Sequence, residues 1–86
     1  MNELINERVN VMTTFDRMTG KTTPIRIKWQ GRVYTTKKIG ITYPMRSGKT
    51  LIHYFTVETS EGTSFKMRLD TENLIWTLEE IIDASD

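Results

Sequence analysis

The sequence predicts an all-β fold, a six-stranded antiparallel meander that forms a small barrel or a rolled sheet. Three observations support this prediction. Apolar and polar residues alternate with a period of two over most of the chain. Turn-forming segments separate the alternating stretches at hairpin spacing. A chain of 86 residues is long enough for one modest core, so we expect a single domain over residues 1–86.

The alternation predicts six strands, at about 8–15, 22–29, 32–43, 50–59, 63–70 and 74–80. The first strand alternates from Val9 to Phe15, and residues 16–20 form the turn that leads into the second strand. Gly40 lies within the long third strand, where a glycine indicates a bend.

The hairpin between the second and third strands has two possible loops. A three-residue loop at residues 29–31 pairs Ile27 with Val33 and Lys28 with Arg32, which separates apolar from basic side chains. Its last glycine then takes the left-handed position of a bulged turn. A two-residue turn would instead mix the two faces. The pattern therefore favours the three-residue loop.

The next hairpins pair apolar residues face to face. The loop of residues 60–62 gives three such pairs: Val57 with Phe65, Phe55 with Met67, and His53 with Leu69. A turn at residues 70–73 gives three more: Leu69 with Leu74, Met67 with Trp76, and Phe65 with Leu78. The outer face is expected to pair Tyr54 with Gly40, Glu58 with Thr36, and Glu79 with Ser64. His53 is also expected opposite Ile41.

The last segment has a helical alternative. Its apolar residues also fall at helical spacing, at Leu74, Ile75, Leu78, Ile81 and Ile82. A helix would leave Trp76 on the polar face, whereas the hairpin buries it. We therefore predict a strand at about 74–80, followed by a frayed end or a short C-terminal helix at residues 81–86.

Two stretches, I-R-I-K-W-Q-G-R-V-Y (residues 25–34) and F-K-M-R-L-D-T-E-N-L-I-W-T-L-E-E (residues 65–80), resemble small bacterial all-β proteins of unknown function. The resemblance rests on hairpin residues. It implies an all-β fold and no activity, cofactor or site residue.

The charge distribution carries the main functional signal. From Arg17 to Val57 the chain has nine Lys or Arg residues and no Asp or Glu, and five of its eight aromatic residues lie there. Basic residues among aromatic ones suit a nucleic-acid backbone and its bases. The registers give a candidate outer-face site: Arg26, Lys28, Arg32, Tyr34, Lys38, Tyr54, Lys66 and Arg68. Lys37 is expected to face inward.

Enzymatic motifs are weak. The sequence S-G-K-T at residues 47–50 ends like a phosphate-binding loop, but Tyr43 replaces the first glycine of that motif. His53 is the only histidine and the chain has no cysteine, which excludes the usual zinc site. A partly buried core histidine is the expected role. The sequence predicts no enzyme activity, no cofactor and no metal.

We therefore expect a cytoplasmic, non-enzymatic barrel that binds single-stranded DNA or RNA weakly, with cations on phosphates and tyrosines stacked on bases. Nothing in the sequence indicates a signal peptide or a membrane partner. The alternative is a protein-interaction or assembly module that uses sheet edges or its charged face, including self-association.

Overall fold

The computed structural model describes residues 2–82 as one closed antiparallel barrel. Its six strands are β1 Asn2–Asp16, β2 Lys21–Trp29, β3 Arg32–Ser47, β4 Thr50–Thr59, β5 Ser64–Asp70 and β6 Ile75–Ile82. Each strand pairs with the next along the chain, and β1 also pairs with β6, which closes the barrel. The all-β prediction and the six-stranded meander are confirmed, and the barrel is the form adopted.

The last described segment of the chain is a strand and not the helix that the sequence also allowed. β6 extends to Ile82, so the prediction of a strand at about 74–80 is confirmed. Residues 81 and 82 continue the strand and are not helical. Residues 83–86 of the expected C-terminal helix lie outside the described residues.

The core is built by alternate residues of neighbouring strands. Seven of the described side chains are fully buried: Ile27, Val57, Phe65, Met67, Leu78, Thr59 and Pro24. The β4–β5 register is as predicted, and this places successive inward residues of the two strands opposite each other. Thr59 closes the connecting loop, because its buried hydroxyl donates a 2.8 Å hydrogen bond to the carbonyl of Thr63.

The β5–β6 register differs from the prediction by two residues. Leu69 pairs with Trp76, not Leu74, and Met67 pairs with Leu78, not Trp76. Beyond the bulge in β6, Phe65 pairs with Ile81, three residues from the predicted Leu78. The reason lies in the turn, where the Asp70 carboxylate accepts backbone hydrogen bonds and Leu74 takes a positive φ of 58°. Asp70 is therefore the last residue of β5. Because the displacement is an even number of residues, Trp76 still faces inward as predicted.

The predicted three-residue loop between β2 and β3 is wrong. Gln30 and Gly31 form a two-residue turn in which both residues have positive φ, 51° and 76°. This geometry matches the right-handed twist of the flanking strands. It pairs Ile27 with Tyr34 and Lys28 with Val33. The one-residue difference reverses the face of every side chain at the start of β3.

Two β-bulges in β3 then change the register against β4. The first lies between Thr36 and Lys38, and the second between Ile39 and Thr42. The first restores the predicted phase of Lys38 and Ile39, and it leaves Lys37 exposed rather than inward. Three predicted pairs across this hairpin are wrong, because β3 and β4 meet in a tight turn at residues 48–49. Tyr54 lies opposite Tyr43, Glu58 opposite Lys38, and His53 opposite Pro44.

Candidate binding seam between β2 and β3

The eight predicted site residues do not share one face of the barrel. Arg26 and Lys28 lie exposed on β2. Lys66 and Arg68 lie on β5, which is three strands away from β2 in either direction around the closed barrel. The expected continuous basic face is therefore divided between opposite sides of the molecule.

The β2–β3 turn removes Tyr34 from the predicted outer face. Tyr34 is only 8% exposed and packs edge-on against Phe65, with ring centroids 4.9 Å apart. Arg32 pairs with Trp29 on the same inward phase, and its guanidinium carbon lies 5.5 Å from the centre of the Tyr34 ring. The predicted outward orientation of Tyr34 is wrong, and the folded protein has no room for a base to stack on its ring. Arg32 lies on the same phase at the start of β3, where its side chain stays exposed as predicted.

The cations on β5 have an acidic partner. Glu79 lies at the bulge of β6, with its carboxylate 2.6 Å from Arg68 Nη1 and 4.0 Å from Lys66 Nζ. Glu79 does not lie opposite Ser64, because Ser64 pairs with Ile82. The carboxylate is 16% exposed, so it compensates both cations in a partly dehydrated setting.

The two tyrosines nearest these cations stack on each other. Tyr43 and Tyr54 have ring centroids 5.0 Å apart and an interplanar angle of 16°. Lys66 Nζ lies 5.9 Å from the Tyr54 ring, and Arg68 pairs with Tyr54 across the strands as predicted. Lys38 is exposed as predicted, but it pairs with Glu58. One side of the barrel thus carries an aromatic pair among compensated charges.

The most unusual feature of the barrel is the gap between β2 and β3. These strands pair with each other only through residues 26–29 and 32–35. Beyond this short ladder, residues 21–25 pair with β1 and residues 36–47 pair with β4. The β1–β2 and β3–β4 hairpins therefore separate. We call the gap between residues 21–25 and residues 36–47 the seam.

Proline explains why the two sides of the seam do not join. The chain has two prolines, and one lies on each side, Pro24 in β2 and Pro44 in β3. Proline lacks a backbone N–H and is found on edge strands rather than in the middle of a sheet. The same property protects an exposed edge from uncontrolled pairing with other chains.

A cavity of about 570 Å³ opens at the seam. Its walls come from both hairpins, with Thr22 and Thr23 on one side and Thr42 on the other. Apolar side chains including Phe55 form much of the interior, and His53 contributes the imidazole. None of the described residues that line it is a carboxylate. The cavity therefore combines apolar surface with hydroxyl and imidazole groups, and it offers no acid–base pair.

His53 lines this cavity and also packs at the edge of the core. It pairs with Leu69 as predicted, and its ring packs against Phe55 with centroids 6.1 Å apart. The sequence identified it as a partly buried histidine, and it is half-buried. Sequence reasoning did not find the seam itself. The two prolines in otherwise alternating strands are the signal that was present.

No family model, curated protein or solved structure matches this chain. Within residues 2–82, no helix reaches the length and apolar character needed to span a membrane. The same residues hold no cluster of three or more side chains suited to binding a metal ion.

Proposed function

We propose that this protein is a non-enzymatic interaction module that binds an extended polypeptide segment in the seam. The observation that carries the proposal is the cavity flanked by two strand edges that lack a partner in the described residues. An extended segment added to a sheet edge gains main-chain hydrogen bonds, and pockets beside the edge select its side chains. The cavity volume lies within the range of ligand-binding sites.

Exposed apolar side chains on both hairpins support the proposal. Phe15 and Met18 are 66% and 85% exposed on the β1–β2 hairpin, and Ile41 and Met45 are 71% and 54% exposed on β3. Large apolar side chains concentrated in one region mark interaction sites. They flank the seam and would pack against the side chains of a bound segment that point away from the cavity. Proteins of oxidising compartments often carry disulfide bonds, and this chain has no cysteine to form one. The proposal therefore includes a cytoplasmic location.

The test begins with selection of binding peptides from a displayed library of random dodecapeptides. Hydrogen exchange on the complex with a selected peptide is expected to protect backbone amides among residues 21–23, 25 and 36–43. A Thr42→Trp variant, which fills the rim of the cavity, is expected to weaken binding about tenfold or more. Val33→Trp on the outer face is the matched control, since Val33 is 54% exposed and lies away from the seam. Protection confined to other strands, or equal effects of both variants, would contradict the proposal.

Single-stranded DNA or RNA is the second candidate partner. It is supported by the Tyr43–Tyr54 stack, with Lys66 and Arg68 beside it. Aromatic rings near cations suit bases and phosphates. Titration of labelled oligothymidine at two salt concentrations tests it, and absence of binding at low salt contradicts it. Glu79→Gln is expected to strengthen this binding, because it removes the carboxylate that compensates both cations.

A further inference from the structure

The hairpin ends beside the seam carry four cations that have no close acidic partner among residues 3–82. Arg17 and Lys21 belong to the β1–β2 hairpin, and Arg46 and Lys49 to the β3–β4 hairpin. All four are exposed, and no carboxylate of residues 3–82 lies within 4.0 Å of any of them. Lys21 also lines the cavity. Both sides of the seam therefore carry exposed cations.

Three acidic groups at this end of the barrel each accept a hydrogen bond from a backbone N–H or a hydroxyl group. The Asp16 carboxylate accepts a 2.9 Å hydrogen bond from the backbone N–H of Met18. Asp70 accepts a bond of the same length from the N–H of Glu72. Glu72 in turn accepts a 2.7 Å bond from the Thr50 hydroxyl. Asp16 pairs with Lys21 across the β1–β2 hairpin. Thr50, which donates to Glu72, directly follows Lys49, so two of these carboxylates lie near the cations. None of the three carboxylates comes within 4.0 Å of any of the four cations, so the cations form no ion pair with them.

We infer that the segment bound in the seam is acidic, with apolar residues at its centre and Asp or Glu residues at both ends. The inference rests on the proposed function. The apolar cavity takes the central side chains, and the cations at the two hairpin ends face the flanking carboxylates. Such complementarity guides encounter and excludes basic segments, which would meet like charges on both sides. Both effects weaken as salt increases.

A nucleic acid has the same charge but fits this site less well. Bases are recognised largely by stacking on aromatic rings. The one tyrosine at the seam, Tyr43, is already stacked against Tyr54. The Phe55 ring also lines the cavity, but it is 5% exposed and packs against Trp76. The remaining walls present threonine and aliphatic groups together with the His53 imidazole, and these suit the side chains of a polypeptide. We therefore assign the four cations to an acidic polypeptide.

Two displayed peptide libraries test the inference. Each has eight random central residues, flanked at both ends by Asp-Glu in one library and by Lys-Arg in the other. The acidic library is expected to yield binders whose affinity falls as salt is raised. Replacing Arg17, Lys21, Arg46 and Lys49 together by Glu is expected to weaken these binders at least about tenfold. The matched control, Arg26→Glu with Lys28→Glu, reverses two exposed cations on the outer face of β2 and is expected to leave binding unchanged.

The outcomes separate the inference from the proposed function. If neither library yields a binder, the proposed function fails. If both libraries yield binders equally, seam binding stands and the acidic partner is wrong. If the control weakens binding as much as replacement of the four seam cations does, those cations have no particular role and the inference is overturned. If oligothymidine binds more tightly than the selected peptides and the fourfold variant abolishes that binding, the cations belong to a nucleic-acid site and the inference is overturned. Circular dichroism of each variant verifies the fold.

Discussion

Glu79 is expected to be the acidic residue whose loss most destabilises the outer face of the barrel. Its carboxylate lies 2.6 Å from Arg68 Nη1 and 4.0 Å from Lys66 Nζ, and it is 16% exposed. At an effective dielectric constant of about 20, two unit charges about 4 Å apart attract by about 4 kcal/mol. The cost of dehydrating the carboxylate offsets part of this attraction. The two cations are about one-third exposed, which reduces it further.

We therefore expect Glu79→Gln to lower the free energy of unfolding by about 2 kcal/mol. In a domain of this size, that corresponds to a fall of about 10 °C in the melting temperature. Urea denaturation followed by circular dichroism measures the free energy, and a thermal scan provides the second reading. The loss should shrink at high salt, because screening already weakens the attraction in the wild type.

Glu58→Gln is the matched control. The Glu58 carboxylate is 47% exposed and lies 3.8 Å from the ammonium of Lys37, which is 67% exposed. An exposed pair of this kind contributes about 0–1 kcal/mol. The reasoning about burial and charge is refuted if Glu79→Gln costs no more than Glu58→Gln, or if its cost does not change with salt.

Three further predictions concern the turns and the core. Gln30→Asn is expected to raise the free energy of unfolding by about 0.5 kcal/mol, because asparagine tolerates positive φ better than glutamine does. Urea denaturation measures this gain, and a loss of stability would contradict the prediction. Burial raises the pKa of Asp70, but the N–H groups of Asn73 and Glu72 and the Asn73 amide together lower it below its ordinary value of 3.8. A lowered pKa in the folded state means that the ionised carboxylate stabilises the fold above its ordinary pKa, and that this stabilisation disappears as the pH falls through the lowered value. Melting temperatures measured from pH 6 to pH 2 should therefore fall less in Asp70→Asn than in the wild type, and equal falls would refute the assignment. Phe65→Ala, at a fully buried ring, is expected to cost about 3–5 kcal/mol by chemical denaturation, and a cost below about 1 kcal/mol would contradict its place at the centre of the core.

The sequence predicted the parts of the fold that depend on alternation. Phe55, Val57, Phe65 and Met67 face inward because a period of two defines a buried face, and the loop at residues 60–62 keeps that face continuous. Even the displaced β5–β6 register left Trp76 inside, because it moved by two residues. A register error of an even number of residues leaves the predicted face of each side chain correct.

The candidate site depended on odd displacements, which alternation does not reveal. The left-handed conformations of Gln30 and Gly31 turned Tyr34 inward, and the bulge at Lys37 reversed the phase again. Both are local backbone conformations that leave little trace in the sequence pattern of apolar and polar residues. The seam was equally hidden, because separation of β2 from β3 depends on where pairing stops. A charge count along the chain therefore gave the right number of cations and the wrong arrangement around the barrel.

The contact between Phe55 and Trp76 gives the protein an internal optical reporter. Trp76 is 7% exposed, and its ring centroid lies 5.2 Å from that of Phe55, which lines the cavity. The indole Nε1–H of Trp29, the other tryptophan, donates a hydrogen bond to the Glu7 carboxylate. Neither Trp29 nor Glu7 lines the cavity. Replacing Trp29 by Phe leaves one emitter, whose fluorescence depends on how Phe55 is packed. Occupation of the seam then becomes visible as a change in emission, without a label on either partner.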